Sequence, residues 1–168
     1  MKLTSAQAAK LLRKLREERD ALLRQEQRSY VFNATASENI EDVRPDYDYR
    51  QVNNKLEELD SRIRVIRHAL NTFNINTVVP ETGMTIDTLL MYIPYLTDKK
   101  NKLTAMAARL PKERASVRGY DQGIVDYVIV NYPLDEVKRD LEQVTDELSK
   151  AQLALDYINS TVELEIPD

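Results

Sequence analysis

The 168-residue sequence has no cysteine, no tryptophan, one histidine and only three glycines. Without cysteine there is no disulfide, no thiolate metal site and no cysteine nucleophile. Three glycines leave nothing for a phosphate-cradling loop, and no Gly-x-Ser-x-Gly elbow occurs. One histidine denies zinc its usual ligands, and it cannot supply the two Glu-x-x-His pairs of a helical di-metal site. Long apolar runs are also missing. The longest, Leu89 to Leu96, is eight residues with Pro94 inside it, against the ~20 needed to span a bilayer. The start, Met1-Lys2-Leu3-Thr4-Ser5, carries no apolar signal stretch, so a cytoplasmic location is expected. A net charge of −4 provides no global attraction for nucleic acid.

What is present is 42% hydrophobic and 31% charged, enough apolar material for a core and too much for a disordered chain. The length suits a single helical domain over 1–168. Two unbroken heptad stripes dominate it. The first is Tyr49, Val52, Leu56, Leu59, Ile63, Ile66, Leu70, Phe73; the second is Leu134, Val137, Leu141, Val144, Leu148, Ala151, Leu155, Ile158. Both alternate spacings of three and four, so each stripe lies on one helix face, and a 3.5 repeat held this long predicts coiled-coil seams. Pro45-Asp46-Tyr47-Asp48 and Pro133-Leu134-Asp135-Glu136 supply start signals, and Asn74 and Asn159 supply stops.

Two further helices are predicted. Thr4 with Gln7 forms a capping-box pattern opening a helix to about Arg28, with stripe Ala8, Leu12, Leu15, Arg19, Leu22. Another begins near Thr85, with stripe Ile86, Leu89, Ile93, Leu96, Lys100, Leu103, Ala107, Leu110; Pro94 should kink it and Pro111 end it. Ser29–Thr35 and Ile124–Tyr132 are rich in β-branched and aromatic residues and read as a small β element. An offset of 85 places Leu56 on Leu141 and Leu70 on Leu155; an offset of 81 places Leu12, Leu15, Arg19 and Leu22 on Ile93, Leu96, Lys100 and Leu103. Helix, extended segment and heptad helix thus recur, as expected of two pseudo-repeats, 1–80 and 81–168.

The order of elements resembles the septicolysin-like family, small and mostly uncharacterised bacterial helical proteins. The resemblance is carried by Met1-Lys2-Leu3 and Ala6, by Arg62-Ile63 and Ile66 with Asn71 and Asn74, and by Thr85-Ile86-Asp87-Thr88-Leu89. It continues through Leu141 to Asn159, with Asp146-Glu147-Leu148, Lys150 and Asp156. It implies a helical fold and, through its label, membrane action; it brings no catalytic, cofactor or metal residues.

Chemistry-bearing side chains are scarce. His68 falls on the outward face of its helix, beside the stripe residues Ile66 and Leu70, where a solvated side chain is expected rather than a base or ligand. Glu57, Glu58 and Asp60, like Asp135, Glu136 and Asp140, sit mainly off the stripes, as a solvated face requires. Tyrosines gather as Tyr47 and Tyr49, Tyr92 and Tyr95, and Tyr120, Tyr127 and Tyr132; they suit core edges and strand packing, and next to that an interface. A basic segment holds Lys99, Lys100, Lys102, Arg109, Lys112, Arg114 and Arg118, and residues 2–28 form a second; these could contact phosphate backbones.

The expectation is therefore a mainly α protein, an antiparallel four-helix bundle of coiled-coil hairpins with a small β element. No cofactor, metal or catalytic residue is expected. The leading function is a non-enzymatic interaction or scaffold protein. Its weaker stripes leave grooves that self-association would cover, most simply as a dimer, or that another helical protein would fill. Nucleic-acid association and membrane action are the alternatives, the latter without a membrane span.

Overall fold

The computed structural model describes residues 1–115 and 126–167. The fold is mainly α, 68% helical, with small two-stranded antiparallel sheets. In chain order the elements are β1 (Lys2–Thr4), α1 (Ser5–Ser29), α2 (Ile40–Val43), α3 (Tyr49–Asn76), β2 (Val78–Val79) and β3 (Met84–Thr85). Then follow α4 (Ile86–Ala107), β4 (Lys112–Arg114), β5 (Tyr127–Ile129), α5 (Leu134–Thr161) and β6 (Glu163–Glu165). They form two compact units, Met1–Thr77 with Tyr157–Asp168, and Val78–Asp156.

In the first unit α1 and α3 make an antiparallel hairpin. Thr4 caps α1 by accepting from the Gln7 N–H, while the Gln7 side chain accepts from the Thr4 N–H, so both halves of the capping box form. Asp48 caps α3 by accepting from the Gln51 N–H at 3.1 Å. Ala8, Leu12 and Leu15 of α1 meet Leu59 and Ile66 of α3, together with Leu164 and Ile166. Each such Leu or Ile contributes roughly 1.5–3 kcal/mol through burial. Arg19, the cation that interrupts the α1 stripe, reaches across to Asp60 at 2.6 Å. It stands where the buried part of the stripe gives way to a wetter seam. β1 pairs with β6, Lys2 opposite Glu165, Leu3 opposite Leu164 and Thr4 opposite Glu163. The Ser5 hydroxyl donates to the Asn159 side-chain oxygen at 2.7 Å.

In the second unit, β2 and β3 form a short hairpin whose turn places Gly83 at φ +67°, a conformation that favours glycine. Thr85 caps α4, accepting from the Thr88 N–H. α4 runs through Pro94, which faces solvent, and the Thr97 hydroxyl back-bonds to the Ile93 carbonyl at 2.8 Å. α4 buries Ile86, Leu89, Leu96 and Leu103; α5 buries Val137, Val144, Leu148, Ala151 and Leu155 within this unit. The Tyr92 hydroxyl donates to Glu147 at 2.6 Å and the Tyr132 hydroxyl to the Met106 carbonyl at 2.8 Å, which sets α4 and α5 antiparallel.

The β elements differ from the expected pairing. β5 pairs with β4, Lys112 opposite Ile129 and Arg114 opposite Tyr127, not with the segment near residue 30. Ser29 ends α1 and the rest of that segment is bend and loop, with local bonds at its two ends: the Tyr30 N–H donates to the Glu26 carbonyl, and Thr35 is held by Glu38. The Thr35 N–H donates to the Glu38 carboxylate at 2.8 Å, the Glu38 N–H donates to the Thr35 carbonyl, and Asn39 caps α2. The Thr35 amide also holds the Glu38 carboxyl below its ordinary range. Arg44 covers the Phe32 ring at 5.6 Å. Tyr120 and the start of the expected Ile124–Tyr132 segment, Ile124 and Val125, lie outside the described residues.

Candidate interaction surfaces

The two stripes are placed unequally. In α3, Leu59 and Ile66 are buried, Val52, Leu56, Ile63, Leu70 and Phe73 are half-buried, and Tyr49 is 63% exposed. In α5, Val137, Val144, Leu148, Ala151, Leu155 and Ile158 are buried, with Leu134 and Leu141 half-buried.

The half-buried side of α3 borders a run of concavities in the first unit. Glu18, Ala21, Leu22 and Gln25 of α1 face Lys55, Glu58, Leu59 and Arg62 of α3 around 420 Å³. Towards the C-terminal half of α3, a groove of 470 Å³ opens between that helix and β6. Its floor is apolar, from Ala69, Phe73 and Leu164, and its rim is polar, from His68, Thr72, Asn76, Glu163 and Glu165. Neither glutamate makes an ion pair among the described residues. The nearest charge in the ladder is Lys2, opposite Glu165.

The backbone of β6 adds a directional feature. Met1 and Ile166 exchange two hydrogen bonds, each 2.8 Å. Hydrogen-bonded pairs alternate every second residue in an antiparallel ladder, so Leu164 and Ile166 turn their N–H and C=O groups to β1. Glu163 and Glu165 turn theirs to the outer edge, and those groups have no partner among the described residues. This edge is not legible in the sequence. Glu-Leu-Glu is too short to read as a strand, and its partner lies at the other end of the chain.

A second surface lies in the β4–β5 hairpin. Tyr127, Val128 and Ile129 are 51%, 48% and 67% exposed, and Leu110 at its base is 62% exposed. Successive strand residues face opposite sides, so apolar side chains are presented on both faces of the hairpin. The chain connecting α1 to α3 also exposes Tyr30, Val31, Ile40 and Val43.

The basic segment is dispersed. Lys99 and Lys102 are exposed on α4, Lys100 is half-buried, and Arg109 lies 3.7 Å from Glu113. Lys112 stands 3.9 Å above the Tyr127 ring, Arg114 is in β4, and Arg118 lies outside the described residues. His68 is exposed. Of the acidic groups, Asp60 pairs with Arg19 and Glu57 accepts from Asn53 at 2.9 Å. No group of three or more His, Asp or Glu side chains disposed to hold a metal ion occurs among the described residues. Tyr92 and Tyr95 stack with centroids 5.9 Å apart, and the Tyr47 hydroxyl donates to Glu26 at 2.8 Å. That carboxylate pushes the Tyr47 phenol up to about 12, and the bond to Glu147 raises Tyr92 likewise. No described helix is long and apolar enough to cross a membrane.

No family model and no curated protein matches the chain. Among solved structures, it is similar to a functionally unknown conserved protein from Corynebacterium diphtheriae, at 16% identity and a TM-score of 0.62, over 98% of this chain and 100% of that one. At that identity the likeness shows the fold.

Proposed function

We propose that the chain is a non-enzymatic interaction protein that self-associates through the β4–β5 hairpin. The observation that carries this reading is the exposure of Tyr127, Val128 and Ile129 on both faces of one strand. A two-stranded hairpin is marginal by itself in water, and large apolar side chains left exposed on both of its faces favour a partner that covers them. A second hairpin laid against it buries both patches and completes a self-complementary two-fold interface. Sedimentation should give twice the mass of one chain at micromolar concentration. Val128→Lys with Ile129→Lys should return the mass to one chain while leaving the helical circular dichroism signal intact. A wild-type mass equal to one chain would refute the proposal.

A further inference from the structure

The geometry points to the β6 edge as a docking site for an extended peptide segment of another protein, with basic side chains at alternate positions. Three features coincide there. The N–H and C=O groups of Glu163 and Glu165 face outward without partners among the described residues, which is the template that strand addition requires. The groove beside them, 470 Å³, is wide enough to admit side chains and is floored by Ala69 and Phe73. Its rim carries two carboxylates with no ion-pair partner among the described residues.

Strand geometry then dictates the occupant. Side chains opposite Glu163 and Glu165 project to the same face as those carboxylates, and opposite charges across a ladder are favourable. The intervening side chains project to the other face, where Leu164 is already buried and Ala69 and Phe73 wait. Basic, apolar, basic is therefore the complementary pattern. Main-chain bonds supply affinity and the alternating side chains supply selection. This goes beyond the self-association proposed above and uses a different surface, so a monomeric chain that bound the peptide would refute one proposal and uphold the other.

The test is titration of the isotope-labelled full chain with a capped hexapeptide of alternating lysine and valine, followed by amide chemical shifts. Shifts should concentrate at Glu163, Glu165, Ala69 and Phe73, and the matching hexapeptide of glutamate and valine should leave them unmoved. Glu165→Pro, which removes one outward N–H, should weaken binding about tenfold or more. Glu163→Lys with Glu165→Lys should exchange the preference to the acidic peptide, with unchanged circular dichroism reporting intact folding. Absence of shifts at millimolar peptide, equal response to both peptides, or shifts centred elsewhere would overturn the inference.

Discussion

Thr4 and Thr85, 81 residues apart, each end a strand and cap a helix with nearly the same backbone angles, φ −71° and ψ 158° against φ −70° and ψ 158°. Ala8 and Leu89 follow at the same offset, both fully buried. At an offset of 85, the Thr77 N–H closes α3 on Phe73 and the Val162 N–H closes α5 on Ile158; Val79 and Leu164 then insert as buried anchors. The two halves of the sequence thus use the same local devices and differ in how the strands meet. β2 reaches β3 through a tight turn, whereas β1 reaches β6 across 165 residues of chain, as Met1 and Ile166 show. They differ also at the edge. Pro80 follows Val79 and has no N–H to offer, while Glu165 follows Leu164 and has one. The same anchor therefore leaves a blunted edge in one unit and an open edge in the other.

The largest test of this correspondence is core size at the matched pair. Leu89→Ala should cost ~2–5 kcal/mol, and Ala8→Leu ~1–3 kcal/mol through overpacking; urea unfolding measures both, and two negligible effects would break the match. Next is the turn found only in the second unit. Gly83→Ala should cost roughly 1–2 kcal/mol, because its φ of +67° is strained for any side chain even though the space around it is open. Thr4→Ala and Thr85→Ala should each cost about 1 kcal/mol, with Thr4 the more costly because its box with Gln7 is lost as well; equal urea midpoints would show that the box contributes nothing. The smallest effect is in alkali. The Tyr47 phenol, raised from 10.0 to about 12, binds its proton more tightly in the folded state. Its contribution is complete below pH 10 and is lost as the pH rises towards 12. Tyr92 acts in the same direction. Melting temperatures of Tyr47→Phe and Tyr92→Phe should therefore fall less steeply than wild type across that range.

The helices were legible because their signals are local. Thr4 with Gln7, Asp48, and the three-and-four spacing of the stripes each act within one or two turns. The stripes ran further than burial does, since Tyr49 belongs to the heptad pattern yet stays wet. Ser29–Thr35 has the composition of a strand, but Ser29 is taken into α1, and the Tyr30 and Thr35 N–H groups at its ends bond locally, to Glu26 and Glu38. Lys112-Glu113-Arg114 has no strand composition at all and becomes one because Tyr127–Ile129 pairs with it. The groove was not legible, because Phe73 and Glu165 acquire a common purpose only when β6 is laid beside α3.

Periodicity, caps and the absence of cysteine, as properties of the chain alone, settled that long amphipathic helices would form and that no thiol chemistry would accompany them. Strand pairing was decided in three dimensions. A strand of two or three residues has too little intrinsic preference to declare itself, and its hydrogen bonds exist only once a partner has been brought alongside.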